Sequence, residues 1–209
     1  MTEEEFEGQL KRGYETHGVE FKGPGNKADS AFLARVIRAI LGMANRSDGG
    51  LVILGVESET LEPLGFDDDE AKAWLNYDDI AAKVNGCASP SVSFDLEAAT
   101  YQGRKFIIIR VYEFRDIPIL CTSHFPEPGR KGNPILKRGA CYVRARHKPE
   151  TSEIPSEQEM RELLELAIDK GVEKFVKRAQ RTGLFPPTPP SPMPPDIEAL
   201  FNDQAEDLL

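Results

Sequence analysis

The 209-residue chain lacks what several common protein classes require. Its three cysteines, Cys87, Cys121 and Cys141, lie far apart and form no Cys-x-x-Cys pair, so we expect free thiols rather than a disulfide framework or a zinc site. No apolar run reaches the about 18 residues of a membrane span. The acidic amino terminus also has no signal-peptide core. We therefore expect a soluble, cytoplasmic protein.

Motifs of several enzyme classes are also missing. The sequence has no Gly-x-Ser-x-Gly nucleophile turn and no Cys/His metal-binding spacing, and its three histidines are scattered. Residues 47–50 contain two adjacent glycines, which suit a tight turn or the close approach of a phosphate. They lack the lysine of a phosphate-binding loop, so these residues give ATP binding no support.

The net charge of -9 is unevenly distributed along the chain. Residues 1–12 carry -2 and residues 183–209 carry -5, which leaves only -2 for residues 13–182. An acidic total argues against a nucleic-acid-binding protein, but the distribution of charge decides more than the total. The acidic ends therefore do not exclude a basic surface in the middle of the chain.

The most basic stretch, residues 129–148, contains no Asp or Glu. It places seven Lys or Arg residues within 20 positions, with a tyrosine available for stacking, which is typical of a surface that binds phosphates. The alternative is a basic loop that balances the acidic ends of the same chain. The candidate nucleic-acid-binding residues are Arg130, Lys131, Lys137, Arg138, Tyr142, Arg144, Arg146 and Lys148.

Hydrophobic periodicity predicts both helices and strands in the first half of the chain. A capping box at Thr2 and Glu5 predicts a helix over 3–11. Alternation predicts a short strand around 19–22, and an apolar stripe predicts a helix over about 30–44. The apolar run 51–56 predicts a strand buried on both faces. The acidic residues that follow indicate a solvated loop or a helix start.

The second half of the chain continues this pattern. We expect a helix over 77–86, then an antiparallel hairpin formed by 92–100 and 105–113. Residues 140–146 predict a strand with a basic face, and a second capping box at residue 156 begins a long helix that ends near 182. The predicted fold class is α/β of the α+β type, with a mixed sheet, flanking helices and a C-terminal helix.

Two segments of distinct composition follow residue 182. Proline-rich residues 183–195 predict a semi-rigid linker, or alternatively a polyproline ligand for a partner domain. Residues 196–209 are acidic, with a few apolar side chains. This tail predicts either disorder or a short amphipathic helix that docks on a partner, on another protomer or on the chain's own basic surface. We therefore divide the chain into a domain over 1–182, a linker over 183–195 and a tail over 196–209.

Three glutamates and a lysine are candidates for metal-dependent chemistry. Glu15 and Glu20 lie at and just before the first predicted strand, where their carboxylates could converge on one Mg²⁺ or Mn²⁺ ion. Lys22 would then stabilise a charged transition state. Glu57, or Glu59, at the end of the central strand would supply the third carboxylate. The alternative is a surface ion-pair network formed by Glu15, Glu20 and Lys22.

Three motifs, taken in order, resemble the Schlafen-type AlbA domain of bacterial proteins and of the amino-terminal core of vertebrate Schlafens. They are E-x-x-x-x-E-F-K at 15–22, Ala-Asn followed by Gly-Gly-Leu-Val-Ile-Leu-Gly-Val over 44–56, and Gly-Ala-Cys-Tyr-Val-Arg at 139–144. The resemblance covers about residues 12–170. It implies a mixed α/β domain with a basic groove that binds nucleic acid.

The resemblance also bears on catalysis. In Schlafens that cleave transfer and ribosomal RNA, two glutamates of the first motif act with an aspartate just after the Gly-Val strand. The glutamates correspond to Glu15 and Glu20, whereas Glu57 stands where the family often has the aspartate. One hypothesis is therefore a metal-dependent endoribonuclease that acts on structured RNA such as tRNA.

A second hypothesis is a non-catalytic regulator or interaction module that binds DNA or RNA, in a larger antiphage or toxin-like assembly. We expect RNA as the target if the protein cleaves, and duplex DNA or RNA if it only binds. A homodimer is a further expectation, as is a protein partner for residues 184–209. No membrane partner is expected.

Overall fold

The computed structural model describes residues 3–11, 15–129, 134–145 and 150–184. The chain forms two compact units, residues 1–171 and residues 172–209. The tail predicted over 196–209, and the linker predicted beyond residue 184, lie outside the described residues. Within the described ranges, no helix is both long enough and apolar enough to cross a membrane.

The described residues form helices mainly in the first half of the chain, strands mainly in the second, and a long helix at the end of the described part. The helices are α1 Glu3–Lys11, α2 Ser30–Ala44, α3 Asp68–Trp74, α4 Tyr77–Asn85 and α5 Glu157–Arg181. The strands are β1 Val19–Lys22, β2 Gly50–Leu54, β3 Ala88–Ser89, β4 Phe94–Tyr101, β5 Arg104–Val111, β6 Leu120–Cys121, β7 Tyr142–Arg144 and β8 Thr151–Glu153. The predicted helices and the predicted hairpin are present, whereas β3 and β8 were not predicted.

The main sheet is mixed and has the strand order β1-β2-β5-β4. Strands β1 and β2 run parallel, with Val19 opposite Leu51, while β5 is antiparallel to both β2 and β4. Two small antiparallel sheets, β3-β6 and β7-β8, complete the strands. The predicted α+β class with a mixed sheet is confirmed.

Both faces of the main sheet are covered. Along β2, Val52 and Leu54 belong to the core on the α2 side, and Ile53 belongs to the core on the α1 side. Strand β5 alternates in the same way, with Ile107 on the first face and Ile108 on the second. The prediction that the apolar run over 51–56 is buried on both faces is therefore correct.

Acidic caps set where two of the helices begin. The Asp29 carboxylate accepts hydrogen bonds from the backbone N–H groups of Ala31 and Phe32 at the start of α2. Asp67 caps α3 in the same way by accepting from Glu70 N–H. The acidic run after β2 thus includes a helix start, one of the two structures that its composition suggests.

The two glycines between α2 and β2 serve the chain connection. Gly49 has a φ of +66°, and a Cβ placed there would lie 2.1 Å from the Val111 carbonyl oxygen. A Cβ on Gly50 would lie 2.9 Å from the Gly18 carbonyl oxygen. Side chains are excluded at both positions by the chain's own atoms. The turn interpretation therefore accounts for the glycine pair.

Candidate functional site

Glu15 and Glu20 both bind a buried arginine, Arg144, which lies more than 120 residues later in the sequence. Arg144 Nη2 donates to Glu15 Oε2 and Nη1 to Glu20 Oε2, both at 2.7 Å. The Arg144 side chain is 1% exposed and that of Glu20 is 5% exposed. The arginine comes from β7 and Glu20 from β1, so the ion pairs join two elements that belong to different sheets.

Further donors complete this cluster. Thr151 Oγ1 of β8 donates to Glu20 Oε2 at 2.6 Å, and Lys22 Nζ lies 2.6 Å from Glu20 Oε1. The backbone N–H of Phe21 donates to Glu15 Oε1 at 2.8 Å. Two carboxylates thus face one guanidinium and one ammonium group. Such charge balance is what allows ionised groups to remain out of water.

The cluster does not fit a divalent metal ion as it stands. All four carboxylate oxygens of Glu15 and Glu20 already accept hydrogen bonds or ion pairs, and two of the donor groups are cations that repel Mg²⁺ or Mn²⁺. Glu57 accepts from its neighbour Ser58 N–H at 3.2 Å. Among the described residues, no group of three or more His, Cys, Asp or Glu side chains is placed to hold a metal ion.

The geometry corresponds instead to the ion-pair alternative for Glu15, Glu20 and Lys22. Two features differ from that alternative. The network is buried rather than on the surface, and its centre is Arg144, which sequence analysis assigned to nucleic-acid binding. In the described part of the chain, Glu57 does not form a metal-binding group with Glu15 and Glu20.

Strand β7 lacks the predicted basic face. Arg144 is buried in the ion-pair cluster, and Tyr142 is only 3% exposed. The Tyr142 hydroxyl accepts from Lys137 N–H at 2.8 Å, and the Arg38 guanidinium lies 5.2 Å from the centre of its ring. Both side chains are enclosed by the domain, so the prediction that this side of the strand faces solvent is wrong.

The remaining basic candidates fall into three groups. Lys137 is exposed and pairs with Glu153 at 2.9 Å, which raises the pKa of the lysine. Arg138 is exposed in the turn before β7 and has no ion pair among the described residues. Outside the described residues lie Arg130, Lys131, Arg146 and Lys148.

Asn45 is a buried polar residue to which sequence analysis assigned no role. Its side-chain Nδ2 donates to the carbonyl oxygens of Ile119 and Tyr142, each at 2.9 Å, and its Oδ1 accepts from Ile119 N–H at 2.7 Å. The residue is 4% exposed. A polar residue at the end of an otherwise apolar helix is the signal that identifies it. All three sequence motifs therefore meet at β7.

Burial also determines the state of the cysteines. The three thiols are free, as expected. Burial raises the pKa of the Cys141 thiol to about 11, and it also raises the pKa of Cys121. These two groups are therefore protonated at neutral pH, which agrees with a packing role and not with nucleophilic chemistry.

A cleft of about 620 Å³ lies beside the ion-pair cluster. His17 and Arg46 line one part of it. Acidic side chains of α5 line another, namely Glu159, Glu162, Glu165 and Asp169. Because acidic side chains outnumber the accessible basic ones, this cleft is not the basic groove that the resemblance implies.

The fold and the cluster together define an α+β domain in which a buried arginine on β7 binds two glutamates of the first strand region. The chain belongs to the Schlafen AlbA_2 family, whose model matches residues 15–153. All three motifs lie inside the matched residues. No curated protein matches the chain.

Two solved structures are distantly similar to the chain, each at 18% identity and a TM-score of 0.46. One is the DIP2311 protein from Corynebacterium diphtheriae, for which the match covers 66% of this chain and 22% of that protein. The other is the N-terminal domain of a RecG-related protein from Nitrosomonas europaea, with 69% of this chain and 94% of that domain covered.

Proposed function

We propose that the protein binds nucleic acid through the basic segment 129–148, without sequence-specific contacts. Membership of the Schlafen AlbA_2 family supports a nucleic-acid-binding role. The observation that carries the proposal is the placement of Arg138, an exposed arginine that has no ion pair among the described residues and lies in an acid-free segment. Fixed charges of this kind bind phosphates and release counterions.

The buried half of β7 supports this role indirectly. Arg144 and Tyr142 anchor the strand to the domain through the Glu20 carboxylate and the Arg38 guanidinium. The turn that carries Arg138 leads directly into this strand. A charged group on a well-anchored turn loses little conformational entropy on binding. Phosphate contacts position a protein without reading sequence, so we expect both RNA and duplex DNA to bind.

Binding is tested by fluorescence anisotropy with labelled tRNA, duplex DNA and single-stranded DNA over a range of salt. We expect Arg138→Ala to weaken binding to all three, and to reduce the duplex slope of log K against log salt by about 0.9. The matched control is Arg104→Ala, an exposed arginine at the start of β5 that has no ion pair among the described residues. Equal effects of the two substitutions, or no salt-sensitive binding, contradict the proposal.

The alternative function is a metal-dependent endoribonuclease, as the family resemblance implies. It requires Glu15 and Glu20 to exchange Arg144 for a metal ion, and the cluster gives no sign of this exchange. We therefore propose a protein that binds without cleaving through these carboxylates. We expect tRNA to remain intact when the protein is incubated with Mn²⁺ or Mg²⁺, and the chelator control to look the same.

Two variants make this test decisive. Glu20→Gln removes a buried ion pair and is expected to destabilise the fold, so loss of activity in that variant alone would be ambiguous. Glu57→Gln alters a partly exposed carboxylate outside the cluster. Metal-dependent cleavage of tRNA by the unsubstituted protein overturns the non-cleaving proposal, and its loss in folded Glu57→Gln would assign a role in cleavage to Glu57.

A further inference from the structure

Helix α5 carries a row of exposed apolar side chains. They recur at every fourth position, and all of them are exposed in the described structure, with Ile168 at 62%. The row extends over about 24 Å at 1.5 Å per residue. Its members are Met160, Leu164, Ile168, Val172 and Val176.

A different face of α5 packs against the domain. Leu163 is buried, and Leu166 and Ala167 pack against the main core. Lys170 pairs with Glu113 at 2.9 Å. The first part of the helix is thus anchored through one face. The exposed row does not serve this anchoring contact, and contiguous exposed apolar surface of this kind marks an interaction site.

The charges of α5 reverse close to the centre of this row. Residues 157–169 contain five acidic residues and one arginine, which gives -4. Residues 170–181 contain five basic residues and one glutamate, which gives +4. The reversal falls between Asp169 and Lys170, beside Ile168 at the middle of the row. A helix with this distribution is electrostatically complementary to a second copy of itself in the antiparallel orientation.

A glycine lies at the same point. Gly171 is inside the helix, where glycine is less favourable than alanine. Its φ is not positive, and a Cβ built there would meet no atom of the chain within 4 Å. Packing within the described chain therefore gives no reason for a glycine. A small residue at this position allows the backbone of a second helix to approach closely.

We propose that α5 is the interface of a homodimer, in which two copies of the helix pack antiparallel across a two-fold axis near Ile168 and Gly171. The exposed rows interdigitate, and rows with i, i+4 spacing pack with a crossing angle near about -50°. The acidic half of each helix then lies towards the basic half of the other. The interface is isologous, as a two-fold axis requires.

The test measures the oligomeric state of the full chain by sedimentation equilibrium from about 1 µM to 100 µM, a range in which weak dimers dissociate. We expect a dimer for the unsubstituted chain. Ile168→Glu places a charge at the two-fold axis and is expected to raise the dissociation constant by at least about 10-fold. The matched control is Ile117→Glu, since Ile117 is 59% exposed and lies outside α5.

A second variant distinguishes close packing of the two helices at Gly171 from non-specific association of exposed apolar side chains. Gly171→Ala favours the helical conformation of the monomer, so circular dichroism should show a helix content that is unchanged or higher. We nevertheless expect it to raise the dissociation constant, because the added methyl group keeps the two backbones apart. A dissociation constant that Gly171→Ala leaves unchanged contradicts the close approach.

Three outcomes overturn the proposed dimer interface on α5. The full chain can remain monomeric over the whole range, as it would if residues 185–209 covered the exposed row. A dimer can be equally sensitive to Ile117→Glu and Ile168→Glu, which would place the interface elsewhere. Finally, added salt can strengthen the dimer, whereas complementary charges predict that salt weakens it.

Discussion

At the scale of a single residue, Arg144 links β7 to the first strand region through buried ion pairs. Its guanidinium donates to both Glu15 and Glu20 and also to the Val19 carbonyl oxygen at 3.0 Å. Removing one member of a buried ion-pair network leaves the remaining charges without compensation. Arg144 therefore has a structural role that its position in a basic segment does not reveal.

We expect Arg144→Met to lower the free energy of unfolding by about 3–5 kcal/mol, because the two glutamates lose their shared partner. Urea denaturation followed by circular dichroism measures the change. Arg138→Met, an exposed arginine of the same segment, should stay within about 0.5 kcal/mol of the unsubstituted protein. Adding Glu15→Gln and Glu20→Gln to Arg144→Met should recover part of the loss. A cost below about 1 kcal/mol would show that the cluster is not a stabilising network.

At the scale of elements, the local sequence pattern correctly predicted the helices and strands that are determined by residues close together in the chain. The stripe of α2, the doubly buried β2 and the β4–β5 hairpin follow from periodicity and turn residues, and all are present. The predicted serine cap of α5 is also present, since Glu159 N–H donates to Ser156 Oγ at 3.3 Å. These features involve residues a few positions apart, so a single sequence contains the information.

Strand β7 shows where local pattern fails. Alternation correctly placed Tyr142 and Arg144 on the same side of a strand, but it interpreted that side as solvent-facing. The partner of Arg144 is Glu20, 124 residues earlier, and no spacing rule reports such a pairing. Strand β8 was missed for a similar reason, because its short polar sequence forms a strand only by pairing with β7. The metal hypothesis paired Glu15 and Glu20 with each other and left out Arg144, which donates to both carboxylates.

At the scale of the whole molecule, the acidic balance of the chain opposes the proposed nucleic-acid contact. The net charge is -9, and residues 185–209 supply five of the acidic residues with no Lys or Arg. Charge at a distance acts on a polyanion through the solvent, and the range of that action is the Debye length. The carboxyl-terminal residues should therefore weaken binding even if they make no contact with the basic segment.

Ending the chain after Leu184 changes the net charge from -9 to -4. We expect this deletion to raise the affinity for tRNA and duplex DNA by about 3- to 10-fold at low salt, equivalent to about 0.7–1.4 kcal/mol. The gain should fade as salt shortens the Debye length from about 30 Å at 0.01 M to about 10 Å at 0.1 M. A full-length control with the five acidic residues replaced by Asn or Gln separates charge from chain length. If that control binds like the unsubstituted protein while the deletion binds more tightly, the chain beyond residue 184 obstructs the site sterically; unchanged affinity in both shows that its charge has no influence on binding.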